Sequence, residues 1–380
     1  MLALRLARGS RPLVQLRRLL VAAASAGVGF LLLCTLMWAV DHPEGALLRL
    51  LWCAVPAAAA VQLAVAVART DPGTRPRPGL SAIGLGPVRL TVYAAMTTAV
   101  SCVLGSLVAL LAFWHLRGDG SGLPLDGASR RLLAGNGTVP AGAVVLLLAA
   151  VPVLASAAAA CALRPSVRER KAAEPGATSA PAGLPWGVAL TAAGLAVETY
   201  ASGGGDRTPL PLPGRFEGSP AGVLGGWALT AVGLALAGPG ISHLCGWLLQ
   251  SARPGAVRLL AGRALMAQAR SVGRPLGVLC AVVSGTFAAA ALYGPGDRRP
   301  YGVLTGLGAV LVIGCALASV LTAAAEAVKT REETNLSLGE AGTPTTVVRT
   351  AAGVRVLALA AVFAPLTWII AELAAAPLGR

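Results

Sequence analysis

Long apolar runs alternate along this chain with short polar intervals. Runs able to cross the roughly 30 Å hydrocarbon layer of a bilayer fall at 19–40, 50–68, 90–114, 140–163, 183–200, 221–241, 276–294, 301–325 and 350–374. A helix rises about 1.5 Å per residue, so about 20 residues suffice for one crossing. The pattern predicts nine transmembrane helices. The run at 183–200 is short and carries Glu198 near one end. The first run follows five arginines, as a signal peptide would, but it is long and no small-residue cleavage site follows it. It reads as an uncleaved first span.

Composition agrees with that reading. Hydrophobic residues make up 56% of the 380 and charged residues 12%, against roughly 25% charge in a soluble domain. So few charges cannot cover a soluble fold with this much apolar side chain. The net charge of +15 could point to nucleic acid. Its residues are instead scattered between apolar runs, and neither an RNA-binding pattern nor zinc-finger spacing occurs. Basic loops beside membrane spans account for them, and no nucleic-acid partner is expected. The cysteines at 34, 53, 102, 161, 245, 280 and 315 lie in or beside apolar runs with no CxxC pair, which predicts buried free thiols. The helices are rich in Ala and Gly, which permits close backbone approach. Trp38, Trp52, Trp114, Trp186 and Trp368 fall near span ends, where an amphipathic ring favours the interface.

Charge also sets an orientation. With the N-terminus inside, the inner segments 1–18, 69–89, 164–182, 251–274 and 326–355 hold 22 of the 31 basic residues. The outer segments hold the other nine. This positive-inside bias predicts a multi-pass protein of the cell membrane with a cytoplasmic N-terminus. The outer loops near 41–49, 116–139, 201–218 and 295–300 are too short for a folded extracytoplasmic domain.

Two polar segments interrupt the spans at similar places in the two halves. One is Arg69–Leu90; the other, Lys329–Arg349, runs straight into the last apolar stretch. A shift of 258 residues brings the first three spans onto 277–298, 308–326 and 348–372, Leu80 onto Leu338, and Gly84 onto Gly342. The same shift sends the fourth span past Arg380, so the expected tenth helix is missing. The chain divides accordingly into a four-span unit (1–165), a two-span linker (166–250) and a three-span unit (251–380).

Little in the spans carries catalytic chemistry. There is no HExxH, no paired carboxylate, and no serine with a base close by; His42, His115 and His243 lie far apart. No catalytic residue, metal or cofactor site is expected, and without a GxxxxGK[ST] loop the chain holds no nucleotide through a P-loop. Glu198, Glu326 and Glu372 are the acids inside or beside the later spans. Each lies near a span end, where reaching water is easy, although an ionisable group in a membrane is a functional suspect by default. Gly238–Pro239–Gly240 is the candidate helix break that a secondary transporter would use. The connectors are better candidates. Lys329–Arg349 balances Lys329, Arg331 and Arg349 against Glu332, Glu333 and Glu340, with Leu336, Leu338 and Val347 as spaced apolar contacts and Gly339, Gly342 and Pro344 as breaks. A solvated loop or a short docking helix followed by a turn into the membrane both fit. The first copy is more basic and more Gly/Pro-rich, with Leu80, Ile83 and Leu85.

The segment REETNLSLGEAGTPTTVVRTAAGVRVLALAAVFAPL resembles the corresponding region of FtsX-like ABC transporter permeases. There a charged R-x-E-x-x-L-L-x-x-x-G-A-x-x-x-x-V stretch links the second and third helices of a four-helix unit. Arg331, Glu332, Leu336, Leu338, Gly342, Thr345 and Val348 look like its counterparts, and Arg77, Leu80, Ile83, Gly84, Val88 and Arg89 resemble it more loosely in the first copy. In topology the resemblance covers nearly the whole chain. It implies an all-α polytopic membrane protein whose two FtsX-like units are joined by a two-helix linker. It further implies a permease subunit, an exporter in most readings, coupled to a separate cytoplasmic ABC ATPase dimer that binds the ATP and Mg. In that setting Arg331, Glu332, Leu336, Leu338 and Gly342, with Arg77, Leu80, Ile83 and Gly84, would dock the partner, and a second permease chain could complete the assembly. A non-transporting permease that converts ATPase closure into a signal stays open, as do a secondary transporter and a membrane enzyme. The chain departs from the family in lacking a large outer domain and the last helix.

Overall fold

The computed structural model describes residues 12–41, 50–71, 87–117, 140–164, 183–203, 209–212, 216–251, 255–292, 303–340 and 342–375. The chain is an all-α polytopic membrane protein. Its main helices are α1 (Pro12–Asp41), α2 (Ala54–Thr70), α3 (Pro87–Arg117), α4 (Ala141–Leu163), α5 (Gly183–Gly203), α6 (Ala221–Ser251), α7 (Ala256–Leu292), α8 (Val303–Lys329), α9 (Glu332–Glu340) and α10 (Thr345–Ala375). Eight of these, all but α5 and α9, are long and apolar enough to cross a membrane. An addition the apolar pattern does not foretell is a short antiparallel hairpin between α5 and α6. Its strands β1 (Pro209–Leu212) and β2 (Phe216–Pro220) pair Pro209 with Pro220 and Leu210 with Ser219.

Two compact units divide the chain. The first takes in α1–α4 together with residues 303–322 of α8; the second takes in α5–α7, α9, α10 and residues 323–329. In the first unit α1 is the central helix. Val21, Ala24, Val28 and Leu32 of α1 form a core with Leu63, Ala64 and Val67 of α2, Cys102 of α3, Val151 and Ala155 of α4 and Cys315 of α8. Nearer the other end, Leu33, Cys34 and Met37 close on Phe113 and Val144. Among lipid tails that are as apolar as leucine, burial alone does not drive helices together; small residues and hydrogen bonds do. At the α1–α3 crossing both occur: the Ser25 hydroxyl donates to the Cys102 carbonyl at 2.9 Å. A Cβ on Gly105 would fall on the Ala22 carbonyl and the Ser25 side chain. Ser106 Oγ donates in the same way to the Leu148 carbonyl of α4 at 3.1 Å.

The second unit is built around α6. The α5 helix lies antiparallel along it, with Gly183 against Leu236 at one end and Ala201 against Gly222 at the other. On its other side α6 meets α7 so closely that a Cβ on Gly238 would fall on the Gly273 carbonyl, and one on Gly273 would meet Pro239. The Gly238–Pro239–Gly240 stretch is therefore no break. The helix runs from Ala221 to Ser251 with Pro239 inside it, and the glycine there serves backbone contact. Leu234, Cys280, Phe363 and Ile370 form the apolar core between α6, α7 and α10, where Thr367 Oγ1 donates to the Phe363 carbonyl at 2.6 Å and reaches Cys280 Sγ at 3.0 Å.

Candidate functional site: the α8–α10 connector

The later polar segment folds into a short helix between two apolar ones. The α8 helix closes on Glu326, Ala327 and Val328, whose carbonyls accept from the Thr330 backbone (2.9 Å), the Thr330 hydroxyl (3.2 Å) and the Arg331 backbone (3.2 Å). Asn335 N–H then donates to the Arg331 carbonyl at 2.7 Å and opens α9. The first turn of α9 holds Glu332, whose negative charge suits the positive end of a helix dipole. Gly342 N–H donates to the Gly339 carbonyl at 3.0 Å, and Gly342 takes φ +83°. That left-handed conformation costs an L-residue with a Cβ roughly 1–2 kcal/mol, which explains a glycine at the stop. Pro344 follows, and α10 starts at Thr345.

A polar clasp holds the start of this connector. Gln268 of α7 donates through Nε2 to the Ala327 carbonyl at 3.1 Å and to Thr330 Oγ1 at 3.4 Å. Its Oε1 accepts from Arg331 Nη2 at 3.0 Å. One side chain so satisfies the C-terminal end of α8 and fixes the arginine that leads into α9. Beyond the clasp the helix is open: Glu332, Leu336, Gly339 and Glu340 are exposed, Leu336 at 64%. Glu332, Leu336 and Glu340 recur at four-residue spacing and share one face, an apolar side chain between two acids. Leu338 belongs to α9, but its side chain lies outside what is described, and Thr345 is exposed while Val348 is half-buried.

In the first unit the described residues stop short of the matching contacts. Arg77, Leu80, Ile83 and Gly84 lie outside the described residues. The segment's two ends are placed. At its start Arg18 of α1 pairs with Asp71 at 2.8 Å, and Arg17 Nη1 donates to the Thr70 carbonyl at 3.4 Å. Val88 and Arg89 already belong to α3. Each connector thus leaves a helix whose last turn is hydrogen-bonded to the first helix of a neighbouring hairpin, α1 in one case and α7 in the other. The cleft beside the first clasp, lined by Arg18, Asp71, Thr97, Thr98 and Ser101, has a volume of about 20 Å³. It has room for one water and none for a solute.

Glu198 and Cys161 both depart from what the sequence predicts. Glu198 does not reach water from its place near the end of α5: it is 1% exposed. Thr230 Oγ1 of α6 donates to Oε1 at 3.4 Å, and Oε2 has no partner among the described residues. No sequence pattern marked this: Gly226 of α6 sits directly against its side chain and draws the two helices too close for an outward path. Glu372 is exposed and Glu326 half-buried. Among the described residues no three His, Cys, Asp or Glu side chains converge as metal ligands. The described cysteines are all free; six are buried, and Cys161 is exposed where a buried thiol was expected. Comparison of the chain with protein-family models, with curated proteins and with solved structures gives no match.

Proposed function

We propose that this chain is the membrane-spanning permease subunit of an ABC transporter, worked by a separate cytoplasmic ATPase dimer that α9 contacts. The observation that carries the reading is the α8–α10 connector, a short helix held at its start by Gln268 and Arg331, released at its end by Gly342, and exposing Leu336 between Glu332 and Glu340. A leucine flanked by acids on an exposed helix face suits a shallow cleft with a basic rim. A push on α9 would pass to α10 through the Gly342 turn and to α7 through Gln268. Leu338 is assigned to the same contact, with Arg77, Leu80, Ile83 and Gly84 as the first unit's equivalents. ATP and Mg belong to the partner, since this sequence has no phosphate-cradling loop.

The test is co-purification of the cognate ATPase with Leu336→Asp and Leu338→Asp chains that reach the membrane at parental levels. A buried leucine at such a contact is worth about 2 kcal/mol, a loss of about thirtyfold in affinity. Undiminished binding by both variants sinks the docking role. The chain purified alone should hydrolyse no ATP, and hydrolysis by a preparation free of other proteins would reject the permease reading itself.

A further inference from the structure

The α7 helix is longer than the layer it crosses. Its 37 residues span about 55 Å at 1.5 Å each, against about 30 Å of hydrocarbon. The stretch from Pro275 to Leu292 holds no charged residue and fills most of that thickness. The surplus is the first half, which contains Arg258, Arg263, Arg270 and Arg274 and no carboxylate.

That half has two unlike faces. Ala261, Leu265, Ala269 and Gly273 are buried, Leu265 beside Gly246 and Gly273 beside Pro239 of α6. Arg263, Ala267, Arg270 and Arg274 are exposed. Their spacing of four, three and four residues puts them in one stripe along the helix. The Gln268 clasp projects from a different side of α7, so the stripe does not take part in the connector.

Depth along the helix decides what covers the stripe. Arg274 stands where the uncharged stretch ends and Arg270 one turn outside it, about 6 Å away. Both lie within a headgroup layer, which adds about 5–8 Å to each side of the hydrocarbon. Arg263 lies about 16 Å beyond Arg274, past that layer. A guanidinium offers paired N–H donors that match a phosphate oxygen pair. We infer that Arg270 and Arg274 form a binding site for the headgroup of an anionic phospholipid, with Arg263 adding long-range attraction from outside. The site tethers α7 at the point where it leaves the membrane, and it needs no ATPase partner.

Native mass spectrometry of the full chain in a mild detergent tests this by titration with phosphatidylglycerol or phosphatidylcholine. The parent should retain phosphatidylglycerol at least fivefold better. Each arginine within the layer contributes about fivefold, so an R270Q/R274Q chain should lose the preference, whereas R263Q should reduce it by less than fivefold. The R258Q chain, altered on another side of α7, should keep it and shows that loss of an arginine alone is not the cause. Equal retention of the two lipids by the parent overturns the site, as does an undiminished preference in R270Q/R274Q. Displacement of the lipid by inorganic phosphate at matching concentration would also overturn it, as would retention of an acidic protein on the stripe in place of lipid.

Discussion

At the scale of single residues, two glycines separate contact from composition. Gly105 faces the Ala22 carbonyl of α1, whereas Gly142 on α4 has nothing within 4 Å of where a Cβ would stand. Gly105→Val must force two backbones apart and should destabilise the purified chain by about 3 kcal/mol, at the upper end of overpacking costs. Gly142→Val should change the thermal midpoint by little. Equal shifts for both would mean that α1 and α3 do not cross as described. The chain gave no means of telling these glycines apart, because Ala and Gly are dense throughout and a period of 3.6 does not say which face meets another backbone. Glu198 teaches the same lesson. Its position near a run's end argued for an easy path to water, but the partner helix arrives at Gly226 and Thr230 and seals it. A buried polar atom with no hydrogen bond costs about 1–3 kcal/mol. Glu198→Met combined with Thr230→Val should therefore melt no lower than the parent in thermal unfolding. A clear drop would show that the carboxyl stabilises the α5–α6 pair.

At the scale of elements, what was legible depended on whether polarity meant exposure or merely one face of a helix. The long apolar runs gave the spans directly, since nothing but a helix can carry twenty such residues across lipid with its backbone satisfied. The interval 251–274 looked like a basic loop, yet from Ala256 it is helix continuous with α7. Arg263, Arg270 and Arg274 are charged positions on an exposed stripe, with Leu265 and Ala269 between them facing inward. The same applies to Lys329–Arg349, where Gly342 and Pro344 mark the break and the acids before them, at 332, 333 and 340, sit on a helix. No sequence pattern pointed to Gln268, because a lone glutamine in an amphipathic stretch has no signature, although it makes three hydrogen bonds that organise the connector. Gln268→Ala should remove about 1 kcal/mol for each bond of good geometry. Hydrogen exchange in 327–340 should then quicken several-fold while α1–α4 stay as they were. Unchanged exchange in that segment would assign its order to α9 alone.

For the whole molecule the open count is the number of crossings, and α5 decides it. By length and apolar content eight helices qualify among the described residues, and α5 is not one of them. Its 21 residues nevertheless measure about 31 Å, and its contacts with α6 run from Gly183 beside Leu236 to Ala201 beside Gly222. A helix zipped antiparallel along residues 222–240 of a spanning helix shares the depth of that stretch. Its buried glutamate then explains the weaker apolar signal without moving it out of the layer. Charge gives the same answer. Were α5 to stay on one side, the basic interval 251–274 would fall on the opposite side from 1–18, 69–89 and 164–182, against the positive-inside bias. Nine crossings keep all five basic intervals, with 22 of the 31 basic residues, on one side, which the positive-inside bias predicts to be the cytoplasm. Single cysteines replacing Ser121, Ser179, Ser219 and Ser251, in a chain freed of its exposed Cys161, read the arrangement in intact cells. A membrane-impermeant maleimide should label positions 121 and 219 and spare 179 and 251. Labelling of 251 together with 121, while 179 and 219 stay protected, would leave α5 on the inner side and reduce the crossings to eight.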